Sequence, residues 1–188
     1  MEGLQEVWRD IGMPSGHAYG KALRTVKTCV GSLYCRYGTQ DSLSLGIALE
    51  KRIAGLWMPA KVKMGVAGCP RNCAEAGIKD IGIAGISGEW KIYAGGCGGI
   101  EQKAGEFLTS VKTGEEAVLI AAAFIQLYRE EAHYGERTFK WIERAGLDSV
   151  KKAVVEDTEN RRRLVSRLEE ALKTVKDPWK GRESMSFN

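Results

Sequence analysis

Four cysteines carry the chemistry that this chain can do: Cys29 and Cys35, five residues apart in the gap between them, and Cys69 and Cys73, with three between. That number of thiolates matches an iron–sulfur cube, which takes one sulfur ligand per iron. The second pair sits in Gly68-Cys69-Pro70-Arg71-Asn72-Cys73. Pro70 suits the first position of a helix, where its missing N–H would have had no partner anyway. Sulfurs on the first turn of such a helix face one side. The unpaired N–H groups near Arg71 to Cys73 would donate to sulfide or thiolate and offset negative charge. Cys29 and Cys35 come from a loop that can wrap the opposite side, and glycines beside both pairs let backbone approach a bulky group. Structural zinc, disulfides and unrelated buried thiols compete with the cube. Paired zinc cysteines normally stand closer in sequence than Cys29 and Cys35. A total of five cysteines is odd, which fits poorly with a closed disulfide framework.

The elements around these residues read as α+β. Residues 1–22 form a lead-in, with a short helix around Val7 to Ile11 and a Pro/Gly-marked stretch from Pro14 to Gly20. Leu23 to Thr28 reads as a strand running into Cys29. Asp41 or Ser42 caps a helix from Leu43 to about Ile53, with Leu45, Leu49 and Ile53 on one face. A β-α-β-β unit follows. Lys61 to Ala67 alternates, the cysteine-bearing helix runs from Pro70 to about Ala76, and strands at Asp80–Ile86 and Glu89–Ala94 are joined by Ser87-Gly88. After Gly95-Gly96-Cys97-Gly98-Gly99 the pattern is helical: Glu115–Glu131 capped by Thr113, then Phe139–Arg144, Leu147–Val155 and Thr158–Val175, closed by Asp177-Pro178-Trp179. The resulting organisation is a lead-in (1–22), an α+β domain (23–112), a helical extension packed on it (113–180) and a mobile tail (181–188).

The bulk properties narrow the setting. The chain has 188 residues, 44% of them apolar, enough for a hydrophobic core. Its net charge of +4 comes from 28 basic and 24 acidic residues, too balanced for a nucleic-acid surface. Met1 to Glu6 has no signal-peptide character, and no apolar run approaches a membrane span. A reducing cytoplasm is the expected compartment, and it keeps thiolates free for metal.

The flanks of the cysteines carry a resemblance. Lys27-Thr28-Cys29-Val30-Gly31-Ser32, Cys35-Arg36-Tyr37-Gly38-Thr39-Gln40-Asp41 and Gly68-Cys69-Pro70-Arg71-Asn72-Cys73-Ala74-Glu75-Ala76 resemble the sirohaem-dependent nitrite and sulfite reductases. Within that family they are most similar to the C-terminal part of the large subunits of assimilatory NAD(P)H nitrite reductases. The likeness runs from about Ser15 to Asp148 and more loosely to Trp179. It implies that Cys29, Cys35, Cys69 and Cys73 ligate a 4Fe-4S cluster and that Cys73 also bridges to the iron of sirohaem. It implies a six-electron reduction of nitrite to ammonia, or of sulfite to sulfide in the sister enzymes. Sirohaem carries many carboxylates that need cationic or N–H partners; Arg71 and Asn72 are the nearest candidates, followed by Arg36, Lys61 and Lys63.

The family usually shows Gly-Gly-Asn where this chain has Gly95-Gly96-Cys97, so Cys97 is off-pattern and reads as a small buried residue, with a thiol that approaches and tunes the cofactor as the alternative. Full-length relatives also carry flavin and NAD(P)H domains and a first catalytic half that supplies most substrate-clamping side chains, in cis or as a separate chain. The glycines at 95–99 do not open a dinucleotide site. The chain is therefore expected to hold a cluster and only part of a sirohaem pocket, with the substrate-clamping residues elsewhere. A non-catalytic electron-transfer module working with a partner chain, or a truncated product, would share these features. His17 and His133 lack ligand spacing, Arg161-Arg162-Arg163 reads as a solvated helix face, and the five tryptophans as packing or edge residues.

Overall fold

The computed structural model of the chain describes residues 23–175, with Val7 and Asp10 ahead of them. Val7 and Asp10 are helical; the rest of the Val7–Ile11 segment, the Pro14–Gly20 stretch, His17, Asp177-Pro178-Trp179 and the tail lie outside the described residues.

A five-stranded sheet forms the centre, in the order β1 (Lys27–Thr28), β2 (Met64–Ala67), β3 (Ile81–Ile86), β4 (Glu89–Ala94), β7 (Glu106–Val111). The first three strands are parallel: Thr28 pairs with Val66 and Val66 with Ile83. The last two are antiparallel additions, with a register shift between Ile92 and Tyr93. Ser87 and Gly88 join β3 to β4 with φ of 55° and 79°, the left-handed pair that a two-residue hairpin requires. A small hairpin, β5 (Cys97–Gly98) with β6 (Gln102–Lys103), precedes β7.

Val62, Met64, Val66, Ile81, Ile83, Trp90, Ile92 and Leu108 point to one face and join a single hydrophobic cluster. That face is covered by α2 (Ser42–Ile53) and α3 (Gly114–Glu131), and α3 is in turn backed by α6 (Thr158–Lys173). Asp41 caps α2 by accepting from the Ser44 N–H at 3.0 Å, and Thr113 caps α3 by accepting from Glu116 at 3.2 Å. Leu45, Leu49 and Ile53 of α2 are buried, each contributing about 1.5–3 kcal/mol, which holds a helix too short to persist alone. Because α3 is enclosed between sheet and α6, it is buried nearly all round from Ile120 to Tyr128. The chain then runs through α4 (Thr138–Ala145) and α5 (Leu147–Lys151), which widens into a π turn over Lys152–Glu156 before α6. Among the described residues no helix is long and apolar enough to cross a membrane.

Two features differ from the sequence expectation. The segment between β2 and β3 contains no α-helix at Pro70–Ala76, but turns followed by one 3-10 turn at Ala76–Ile78. Asn72 (φ 56°) and Glu75 (φ 58°) are left-handed, and the Asn72 Oδ1 accepts from the Gly77 N–H at 3.1 Å. The sheet leaves no room for a helix there. A Cβ on Gly82 would lie 1.8 Å from the Ala76 carbonyl oxygen, and one on Gly65 would lie 2.8 Å from that of Ala74. A helix needs about 10 Å of width. Ala67, Ala74, Ala76 and Ala84 make a thin second core in the contact instead. The other difference lies after the glycine run, where strands β5, β6 and β7 precede the first long helix.

Candidate metal centre

Parallel pairing brings the two cysteine loops together. Cys29 follows the end of β1 and Cys69 follows the end of β2, so both emerge at the same end of the sheet. Gly68 joins them from both sides of its peptide. Its N–H donates to Cys29 Sγ at 3.1 Å. Its carbonyl accepts from the N–H groups of Thr39 and Gln40 at 3.0 Å each and from the Thr39 hydroxyl at 2.8 Å. The Cys29–Cys35 segment includes one helical turn, α1 (Gly31–Tyr34). Gly31 has φ 60°, and a Cβ there would lie 2.7 Å from Ser42 N; one on Gly68 would lie 2.6 Å from the Gln40 carbonyl. The glycines beside the cysteines thus let the two loops approach each other.

The four thiols differ in exposure: Cys69 is buried, Cys29 and Cys35 are half-buried, and Cys73 is exposed, all unpaired by disulfides. Burial works to raise the Cys29 thiol, but donors from Ser42, Gly68 and Gly31 outweigh it and lower the thiol overall. Ser42 Oγ lies 3.1 Å from the sulfur and 2.9 Å from the Cys29 carbonyl, so its single proton serves one or the other. Thiolate stabilisation at Cys29 is what a metal ligand needs.

Among the described residues no three His, Cys, Asp or Glu side chains converge on a point that would hold one metal ion. A cube spreads its irons over separate corners, so its thiolates stand further apart than the ligands of a single ion. The donor set suits such a group: four free thiols on two loops, beside N–H groups of Arg71, Cys73 and Ala74 that find no acceptor among the described residues. These N–H groups are freed by the left-handed turn at Asn72 and not by the helix start that the sequence predicts.

The other candidates separate. Arg36 and Arg71 both lie on the Tyr37 ring, at 4.5 and 4.0 Å from its centroid, and Arg36 also donates to the Tyr37 hydroxyl. Asn72 lies between Cys69 and Cys73 but uses its side-chain oxygen to close the Gly77 turn. Lys61 and Lys63 are exposed at the start of β2, six or more residues before Cys69, which puts them ~20 Å away along the strand. Strand direction removes them from the cysteine end. Cys97 is buried, and Gly96 beside it is bonded to the Lys79 carbonyl at the opposite end of the sheet. His133 is exposed; Arg161 caps the Val154 and Val155 carbonyls, while Arg162 and Arg163 are exposed. Of the tryptophans described, Trp90 and Trp141 are core residues and Trp57 is exposed.

Sequence reasoning missed Tyr37 and Glu75 as contacts. The Glu75 carboxylate reaches Lys79 Nζ at 2.7 Å and Lys27 Nζ at 2.9 Å, which hold it at about 2. A left-handed glutamate between lysines was not visible from local pattern. Asp80 was missed too. It is 1% exposed and accepts from Arg137 through both oxygens at 3.0 Å, from the Thr138 hydroxyl, and from the Lys63 N–H at 2.8 Å.

The profile of the nitrite and sulphite reductase 4Fe-4S domain matches residues 19–162. The chain belongs to this family. It is 58% identical over 179 residues to the NAD(P)H nitrite reductase of Bacillus subtilis, covering 95% of the chain and 22% of that relative. It is 32% identical over 154 residues to the assimilatory-type sulfite reductase of Nitratidesulfovibrio vulgaris, covering 82% of the chain and 71% of that relative. Dissimilatory sulfite reductase I shares the fold, with a TM-score of 0.67 at 13% identity over 98% of this chain and 58% of that one. The chain spans about a fifth of the length of the nitrite reductases that it matches.

Proposed function

We propose that this chain is the cluster-bearing part of a sirohaem-dependent nitrite reductase, with residues 23–112 holding the cofactors and the helices of 113–180 supporting them. The juxtaposition of the Cys29–Cys35 and Cys69–Cys73 loops around Gly68 carries the reading. A 4Fe-4S cluster and sirohaem, when bound, supply electron storage and an iron at which the substrate anion is reduced. The protein's own part is to hold the thiolates and shape their charge. Cys29 is stabilised as thiolate by its donors. Cys69 is buried and would serve the cluster only, whereas Cys73 is exposed and could share its sulfur with a second group. That difference in exposure supports Cys73 as the bridging ligand. Arg36 and Arg71, stacked on Tyr37 at the same end, are placed to receive carboxylates; Lys61 and Lys63 are not.

Nitrite is the substrate we favour, because the relative at 58% identity is a nitrite reductase and the sulfite reductase stands at 32%. The substrate-clamping side chains and the electron-donating flavin and NAD(P)H domains are assigned to the rest of the enzyme. A reducing cytoplasm suits the free thiols. The test is turnover of nitrite and of sulfite by the unaltered full-length enzyme, compared with the same enzyme carrying Cys69→Ser or Cys73→Ser in this segment. Either change should abolish cluster absorption and nitrite reduction; retention of both would refute the ligand assignment, and preference for sulfite would reassign the substrate.

A further inference from the structure

Besides the Gly68 N–H to Cys29 Sγ bond, the segment 68–79 is tied to the segment 27–40 at three places that bracket the cysteines. The Gly68 carbonyl receives Thr39 and Gln40 just before Cys69. The Arg71 guanidinium lies 4.0 Å from the centroid of the Tyr37 ring, between Cys69 and Cys73 on one side and just after Cys35 on the other. The Glu75 carboxylate meets Lys27 at 2.9 Å, just after Cys73 and just before Cys29. Glu75 holds φ 58°, a conformation that favours glycine, and its carboxylate bridges Lys27 and Lys79 from there. Lys27 and Glu75 are each 48% exposed, and ion pairs this open add little to global stability. Their effect is therefore local, on the spacing of the two loops.

We propose that the Lys27–Glu75 bridge and the Tyr37–Arg71 stack form a clasp that fixes the spacing of the two cysteine loops before any cluster is present, which makes Glu75 and Tyr37 positioning residues for the cluster. This rests on the cluster reading above. Pre-organisation of ligands lowers what ordering costs at the moment of binding.

The experiment uses the full chain with Glu75→Gly, Lys27→Met, Tyr37→Ala and, for comparison, Lys79→Met. Glu75→Gly is compatible with the left-handed backbone and removes the carboxylate but also loosens the chain, so Lys27→Met, which leaves Glu75 in place, is the decisive comparison. Hydrogen exchange of the metal-free protein over residues 68–79 should be several-fold faster in the first three variants, with exchange in α3 unchanged. After reconstitution to equal iron and sulfide content, release of iron to a chelator should also be several-fold faster. Lys79 bridges within its own segment, so Lys79→Met should move both readouts less than Lys27→Met. Wild-type exchange or wild-type iron release in both Glu75→Gly and Lys27→Met would overturn the clasp; if Glu75→Gly does not fold, Lys27→Met decides. Failure of the wild-type chain to take up iron and sulfide would instead overturn the cluster reading, while the exchange comparison needs no metal.

Discussion

Replacing Asp80 with alanine should be among the most damaging changes outside the cysteine loops. The carboxylate is 1% exposed and satisfies three donors from separate places: Arg137 and Thr138 at the start of α4, and the Lys63 N–H before β2. Without it, the Thr138 hydroxyl and the Lys63 amide lose their acceptor, and Arg137, 22% exposed and with Nε already unpartnered, loses its counter-charge. Removing one partner of a buried pair costs ~3–5 kcal/mol, because the other is left uncompensated. For a chain of this size that corresponds to a melting point lower by roughly 6–20 °C. Urea and thermal unfolding of Asp80→Ala, Arg137→Met and the double variant measure it. Arg137→Met leaves the carboxylate buried and unpaired, so it should also destabilise, and the double variant should cost less than the sum of the two. A loss below about 1 kcal/mol for Asp80→Ala would refute the view that this pair anchors α4 to the sheet.

Glu136 and Gly82 supply two further tests. Glu136 is held at about 2, chiefly by Arg144 and also by the His133 N–H, against an ordinary value of 4.5. A depressed carboxyl contributes stability above its unfolded value and loses it as pH falls through the folded one, so Glu136→Gln should be less stable than wild type at neutral pH. Unfolding measured stepwise should show that gap closing between about pH 5 and pH 2; a gap constant across the window would contradict the assignment. Gly82→Ala places a methyl 1.8 Å from the Ala76 carbonyl oxygen, which must move the crossover segment. Overpacking of this kind costs ~1–3 kcal/mol or more, and an unfolding midpoint equal to wild type would show that the crossover does not lie against β3.

Much of the scaffold was legible because its signals are local. Asp41 and Thr113 cap the helices that they were expected to cap, and Ser87-Gly88 closes its hairpin. The crossover was misread because Pro70 is a helix-start signal only where a helix has room, and Gly65 and Gly82 show the backbone too close for one. Strand β7 was missed because Glu106–Val111 carries Glu, Thr and Ser and pairs on one side only, which weakens the alternation of an edge strand. At the cysteine end, the residue types were visible but their partners were not. Lys61 and Lys63 read as partners for sirohaem carboxylates, and distance along the sequence hides that strand direction carries them away from the cysteines. Asp80 found its partners 57 and 58 residues away, and Glu75 found Lys27 on a neighbouring strand. Pairing at that range is set by topology, which no short window contains.

Iron and sulfide analysis of the anaerobically reconstituted chain, joined to EPR of its reduced form, tests the central claim most directly. Four irons with four sulfides and a reduced-cluster signal, lost together in Cys69→Ser, are the expected result for a member of this 4Fe-4S family. Stoichiometric zinc without sulfide, bound by the same cysteines, would contradict it.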